Sequence, residues 1–129
     1  MEQAKDQLEI SLALLTQATV SLEIALKEKL TEFIRDAVIQ RFEYTFELAW
    51  KTVKTAADYL GTSVITPREA IQFSYKMQWI GNPDDWFDAM KARNSSSHMY
   101  QEKIAIEVYD IAKDFPAKVT QLLKALKKI

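Results

Sequence analysis

A chain of 129 residues that is 48% apolar and 27% charged fits one folded domain, residues 1–129, with enough chain to bury a core. Two glycines and three prolines are too few for many short strands joined by turns, so the composition points to long helices. A net charge of −1 excludes a general electrostatic nucleic-acid binder. The absence of cysteine excludes disulfides and thiolate chemistry, and one histidine excludes a multi-histidine metal centre within one chain.

The first residues, Met1-Glu2-Gln3-Ala4-Lys5-Asp6, lack the basic-then-apolar pattern of a secretory signal. No apolar run approaches the roughly 18 residues of a membrane span. The expectation is a cytoplasmic protein without a membrane partner.

In chain order, residues 3–27 read as a first helix. Leu8, Leu12, Leu15, Leu22 and Leu26 recur at helical spacing, and Ile10, Leu14 and Ile24 widen the apolar stripe. Residues 32–60 read as the longest helix, with Ile34, Val38, Phe42, Phe46, Ala49, Val53, Ala57 and Leu60 along one face. Phe33, Tyr44, Trp50 and Tyr59 lie off that line, which suggests cover on several sides. Gly61 suits the left-handed position that ends a helix. Thr66-Pro67-Arg68-Glu69 carries a cap, a first-turn proline and the carboxylate of a capping box. The helix it starts should run through Ile80 and end at Gly81. Asn82-Pro83-Asp84-Asp85 repeats the start signal for a fourth helix reaching about Asn94, with Trp86, Phe87, Ala89 and Met90 inward. One of Ser95, Ser96 and Ser97 should cap a fifth helix over about 98–113, with Tyr100, Ile104, Val108 and Ile111 on its stripe. Pro116 interrupts the pattern, and Val119, Leu122, Leu123, Leu126 and Ile129 mark a last helix. The expected fold is all-α, an up-and-down bundle of five or six helices.

The turn between the fourth and fifth helices holds the one histidine. If these helices meet there, Arg93 and His98 approach across the turn, with His98 and Tyr100 among free backbone N–H groups that favour an anion. A guanidinium supplies a planar fork of donors for phosphate. An imidazole exchanges a proton near neutral pH. Arg93 and His98 are the candidate catalytic residues, and Asn94, Ser97 and Tyr100 the candidate substrate contacts; no cofactor or metal is called for. The plainer alternative is that these side chains only cap and pair. One histidine is too little for metal-free RNA cleavage, which needs one group to take the 2′-OH proton and another to protonate the leaving oxygen. A two-fold homodimer joining two such turns would supply both. Asp84, Asp85 and Asp88 suit a helix N-terminus better than a magnesium site. Phe42, Tyr44, Phe46 and Trp50 suit a core or an interface better than base stacking. Lys124, Lys127 and Lys128 suit a solvated helix end.

The spacing of Arg93, His98 and Tyr100 resembles the arginine–histidine–tyrosine motif of the HEPN family. Arg41-Phe42-Glu43-Tyr44-Thr45-Phe46-Glu47-Leu48-Ala49-Trp50-Lys51 resembles the long-helix signature of one subgroup, the nucleotidyltransferase substrate-binding proteins. So do Thr66-Pro67-Arg68-Glu69-Ala70, Asp85-Trp86, Met90 and Arg93-Asn94, in the same order. The resemblance implies a HEPN-like bundle that dimerises and a minimal nucleotidyltransferase partner encoded nearby, to which this chain presents a nucleotide or other substrate. It also implies kinship with metal-independent ribonuclease toxins, whose partner neutralises them, in some pairs by AMP transfer to the motif tyrosine. On that basis Arg93 and His98 match the catalytic pair, Asn94 the polar residue after the arginine, and Tyr100 the modification target.

Overall fold

Residues 2–129 are described in the computed structural model; Met1 lies outside them. They form five α-helices: α1 (Glu2–Lys27), α2 (Glu32–Tyr59), α3 (Pro67–Lys76), α4 (Pro83–Ser95) and α5 (Glu102–Leu126). A 3₁₀ turn, Ser96–His98, follows α4 directly.

Helices α1 and α2 pack as an antiparallel pair. Thr45 on α2 donates its hydroxyl hydrogen towards Ala18 O, and Thr52, two turns on, towards Ser11 O, so residue numbers fall on α1 as they rise on α2. Leu8, Leu15 and Leu22 on α1 face Phe42, Phe46 and Val53 on α2, all inside one core cluster. Helix α5 closes this pair, and the α3–α4 arm packs beside α2. Phe115 of α5 lies at the crossing. Its ring centroid is 5.1 Å from that of Phe42, 6.1 Å from Phe46 and 5.2 Å from Trp86 of α4. The Phe42 and Trp86 contacts are edge to face, a geometry that adds to simple burial. The aromatic group of α2 divides accordingly: Phe42 and Phe46 are fully buried, Trp50 is half-buried, and Tyr44 lies outside, its hydroxyl 2.7 Å from Ser21 Oγ.

The caps follow the sequence at three ends. Thr66 Oγ1 accepts from Glu69 N at 3.2 Å, and Asn82 Oδ1 accepts from Asp84 N at 2.9 Å. Gly61, at φ 82°, closes α2 with the paired bonds Thr62 N→Ala57 O and Gly61 N→Asp58 O.

Other expectations need correction. Helix α3 stops at Lys76, before Gly81. The same paired bonds recur there, Trp79 N→Ser74 O and Gln78 N→Tyr75 O, with Gln78 at φ 62° in the left-handed position. Early closure turns Trp79 and Ile80 into the core, where both are buried. Pro116 does not break α5. A proline has a helix-compatible φ but lacks an N–H, and its ring crowds the carbonyl four residues back, here Ala112; with Phe115, Pro116 and Val119 all buried, packing offsets both costs and carries the helix through. The bundle therefore has five helices, with no sixth among the described residues. On α1, Ile10, Leu14 and Ile24 are exposed, not part of the core stripe. An 18-residue window of α1 has mean hydropathy 1.3, so by length and composition this helix does pass for a membrane span. A third of that window is buried inside the bundle, where Leu8, Leu15 and Leu22 act as core.

Replacing Gln78 with glycine should stabilise the protein. Relief of the left-handed strain, roughly 1–2 kcal/mol, exceeds the added chain entropy of glycine, roughly 0.5–1 kcal/mol. The denaturant midpoint of Gln78→Gly should rise by the equivalent of about 0.5–1 kcal/mol with an unchanged slope; a lower midpoint would contradict this account of the turn.

Candidate functional site

The three serines do not cap α5. Ser95 ends α4, and Ser96–His98 continue with right-handed backbone angles. Helix α5 starts later than expected, at Glu102, after Gln101, whose side chain makes no capping bond. His98 and Tyr100 therefore precede α5 instead of lying in its first turn, and Tyr100, 78% exposed, is no part of the α5 stripe. Glu102 occupies that first turn with its own carboxylate. The corner is a tight continuation of α4 that leaves Asn94, Ser97, His98 and Tyr100 exposed.

Two subgroups form there. His98 Nδ1 lies 3.3 Å from the Tyr100 hydroxyl, with the rings edge to face at 5.9 Å, and both side chains are exposed. Arg93, in the last turn of α4, instead turns towards α2. Its Nη2 donates to Glu47 Oε2, and its Nη1 lies 3.4 Å from Asn94 Oδ1. Among the described residues no hydrogen bond joins Arg93 to His98, so the sequence expectation that they meet is replaced by adjacency across one 3₁₀ turn. Ser97 is exposed, with a long 3.5 Å contact from its hydroxyl to Asn94 O.

The sequence reading missed the support beneath this corner. Ser96 is buried, and its Oγ lies 2.8 Å from Glu43 Oε2 and 2.6 Å from Arg93 O. One hydroxyl proton serves both acceptors. Glu43 and Glu47 are one turn apart on α2, so a single helix face holds both ends of the α4 exit. Their spacing of four, each next to a core phenylalanine, is the only local signal of this role. On the other side, Arg35 Nη1 donates to Glu102 Oε1 at 2.6 Å and ties the start of α5 to the start of α2. That hydrogen bond also raises the Arg35 pKa above its ordinary value. The pair borders a groove of about 530 Å³ between α2 and α5, lined also by Thr31, Ile106 and Tyr109. Among the described residues no cluster of three acidic or histidine side chains could hold a metal ion, which leaves Asp84 and Asp85 as first-turn carboxylates of α4.

A family model described as nucleotidyltransferase substrate binding protein like matches residues 3–128. The chain belongs to this family. The HEPN-subgroup resemblance read from the sequence thus holds across nearly its whole length. Among curated relatives it is 31% identical over 99 residues to a Haemophilus influenzae protein named probable ribonuclease HepT. That match covers 70% of this chain and 65% of the relative, so the chain spans about two thirds of the relative's length. Among solved structures, a protein from Thermus thermophilus superposes with a TM-score of 0.71 at 27% identity, covering 93% of this chain and 98% of that one. A solved structure from Haemophilus influenzae superposes with a TM-score of 0.68 at 22% identity, covering 95% of this chain and 98% of that one. It is described as the fold of a substrate binding domain of a nucleotidyltransferase, and at that identity the likeness shows the shared fold.

Ser96→Ala should cost about 1–2 kcal/mol in chemical denaturation, because the half-buried Glu43 carboxylate loses a donor. Unchanged stability would mean that this hydroxyl does not anchor the corner.

Proposed function

We propose that this protein is the substrate-binding subunit of a two-component nucleotidyltransferase module, and that its Arg93–His98–Tyr100 corner holds a nucleotide or other phosphate-bearing substrate for a small transferase encoded nearby. The observation that carries this reading is the outward-facing corner itself. An imidazole and a phenol stand beside each other, open to solvent, one 3₁₀ turn along the chain from Arg93, whose guanidinium pairs with Glu47 of α2. Asn94 and Ser97 flank it as further hydrogen-bonding contacts. Membership of the family supplies the transferase. A cytoplasmic setting goes with a nucleotide substrate.

The named ribonuclease relative, together with the exposed His98, favours a second reading: a metal-independent endoribonuclease toxin neutralised by the same partner. The chemistry needs two proton-transfer groups, and one chain carries one histidine. A homodimer with a shared cleft would meet that need. Support comes from the exposed apolar residues Ile10, Leu14 and Ile24 on α1, a face that continues through the Ser21–Tyr44 contact to α2 and through Glu47 to Arg93. A second copy on this face would lie alongside the corner.

Purified with its neighbouring nucleotidyltransferase at micromolar concentration, the chain should co-elute as a stable complex; separate elution would overturn the module reading. Expression of the chain alone should arrest growth under the toxin reading, and His98→Ala should relieve the arrest. Equal arrest by the variant, or none from either protein, would sink that reading.

A dependent step is AMP transfer to Tyr100. Its phenol oxygen would bond to the α-phosphorus of ATP, pyrophosphate would leave, and the phenolic proton would pass to the neighbouring His98 Nδ1. Incubation with transferase and ATP should raise the intact mass of the wild-type chain by one adenylyl group and leave Tyr100→Phe unchanged. An unmodified wild type, or a modified variant, would reject this step.

A further inference from the structure

We propose that Glu47 is a positioning residue: its carboxylate fixes the guanidinium of Arg93 so that one edge of the fork stays available to a phosphate. The inference rests on the reading of Arg93 as a phosphate-holding group.

The geometry is specific. Glu47 and Arg93 are 46 residues apart, on α2 and α4, and their side chains remain 29% and 35% exposed. Oε2 of Glu47 accepts from Nη2 of Arg93. Oε1 lies 3.4 Å from Lys51 Nζ, so a cation flanks the carboxylate on each side. A carboxylate held at both oxygens has little freedom to rotate, and its partner guanidinium inherits that restraint. Glu43, one turn earlier, takes Ser96 Oγ and fixes the backbone that carries Arg93 onward to His98.

The rest of the fork is weakly engaged. Nη1 has only the 3.4 Å contact to Asn94 Oδ1, long for a hydrogen bond that a phosphate oxygen would replace at normal length. Arginine carries five donors in one plane, so binding one acceptor with Nη2 orients the others without using them. A fixed fork loses less freedom when a ligand arrives, which is the general benefit of preorganisation. The neighbouring lysine keeps the local charge from being cancelled outright.

The test compares wild type with Glu47→Gln, Glu47→Asp, Arg93→Ala and the double variant Glu47→Gln/Arg93→Ala. The guanidinium nitrogen signals of Arg93, assigned by their loss in Arg93→Ala, report rotation about its Nε–Cζ bond in NMR. Rotation should be slow in wild type, fast in Glu47→Gln and partly restored in Glu47→Asp, which keeps the charge on a shorter arm. AMP titrated into the same samples should bind about fivefold to tenfold more weakly to Glu47→Gln. The double variant should be no weaker than Arg93→Ala alone, since the two residues act as one unit. Tighter AMP binding by Glu47→Gln would overturn the proposal by making Glu47 a competitor for the fork. Unchanged rotation in Glu47→Gln would overturn it by making the ion pair incidental. If Arg93→Ala binds AMP as wild type does, the phosphate reading of Arg93 fails, and the guanidinium signals alone then decide whether Glu47 fixes it. Should Glu47→Gln fold poorly, Glu47→Asp carries the comparison.

Discussion

The packing of Phe115 sets the distances on which everything at the corner depends. Its ring touches Phe42 and Phe46 of α2 and Trp86 of α4, so one side chain of α5 locates the other two helices. Buried aromatic contacts tolerate little displacement, because interiors are packed to crystal-like density. With Phe42 and Phe46 held on the core face of α2, Glu43 and Glu47 are turned one position around the helix. With Trp86 held on α4, Arg93 lies two turns further along that helix. The ion pair between Arg93 and Glu47 is the surface expression of this interior lock.

The corner is rigid for local reasons as well. A 3₁₀ turn continuing directly from α4 leaves few free backbone angles between Arg93 and His98. Ser96 is buried beneath it and meets Glu43, while Arg35 fixes the start of α5 through Glu102. The α2 anchors thus meet the chain before the turn at Arg93, within it at Ser96 and after it at Glu102. Exposed His98 and Tyr100 are carried by a backbone tied at both ends, which suits side chains that must meet a ligand without first being ordered.

Much of the fold could be read from local signals. The Thr66, Asn82 and Gly61 ends have side-chain or backbone chemistry that acts within a few residues. Failures occurred where distant packing overrode a local preference. Gln78 takes a left-handed angle that glycine would favour, because closing α3 there buries Trp79 and Ile80. Pro116 stays helical because its neighbours are in the core. The serines read as a break, yet their backbone never leaves the right-handed region. The candidate site residues Arg93, His98 and Tyr100 were visible as types and spacing. Their division into an arginine pointing at α2 and a histidine–tyrosine pair pointing outward was not, since Glu47 lies 46 residues from its partner in sequence.

The α1 surface follows from the same logic of two faces. Leu8, Leu15 and Leu22 recur every seven residues and fill one side of the helix, so Ile10, Leu14 and Ile24 must point away from it. Helical phase alone puts these three roughly 160–240° around the axis from Leu8, so the expectation that they widen the core stripe fails on spacing, and the bundle uses only the seam that α2 and α5 cover. Small residues at Ala18 and Ala25 bring α2 close and let Thr45 reach a carbonyl of α1. A helix apolar enough to resemble a membrane span therefore owes its composition to two separate demands, an inner seam that builds the bundle and an outer face that the fold itself does not use.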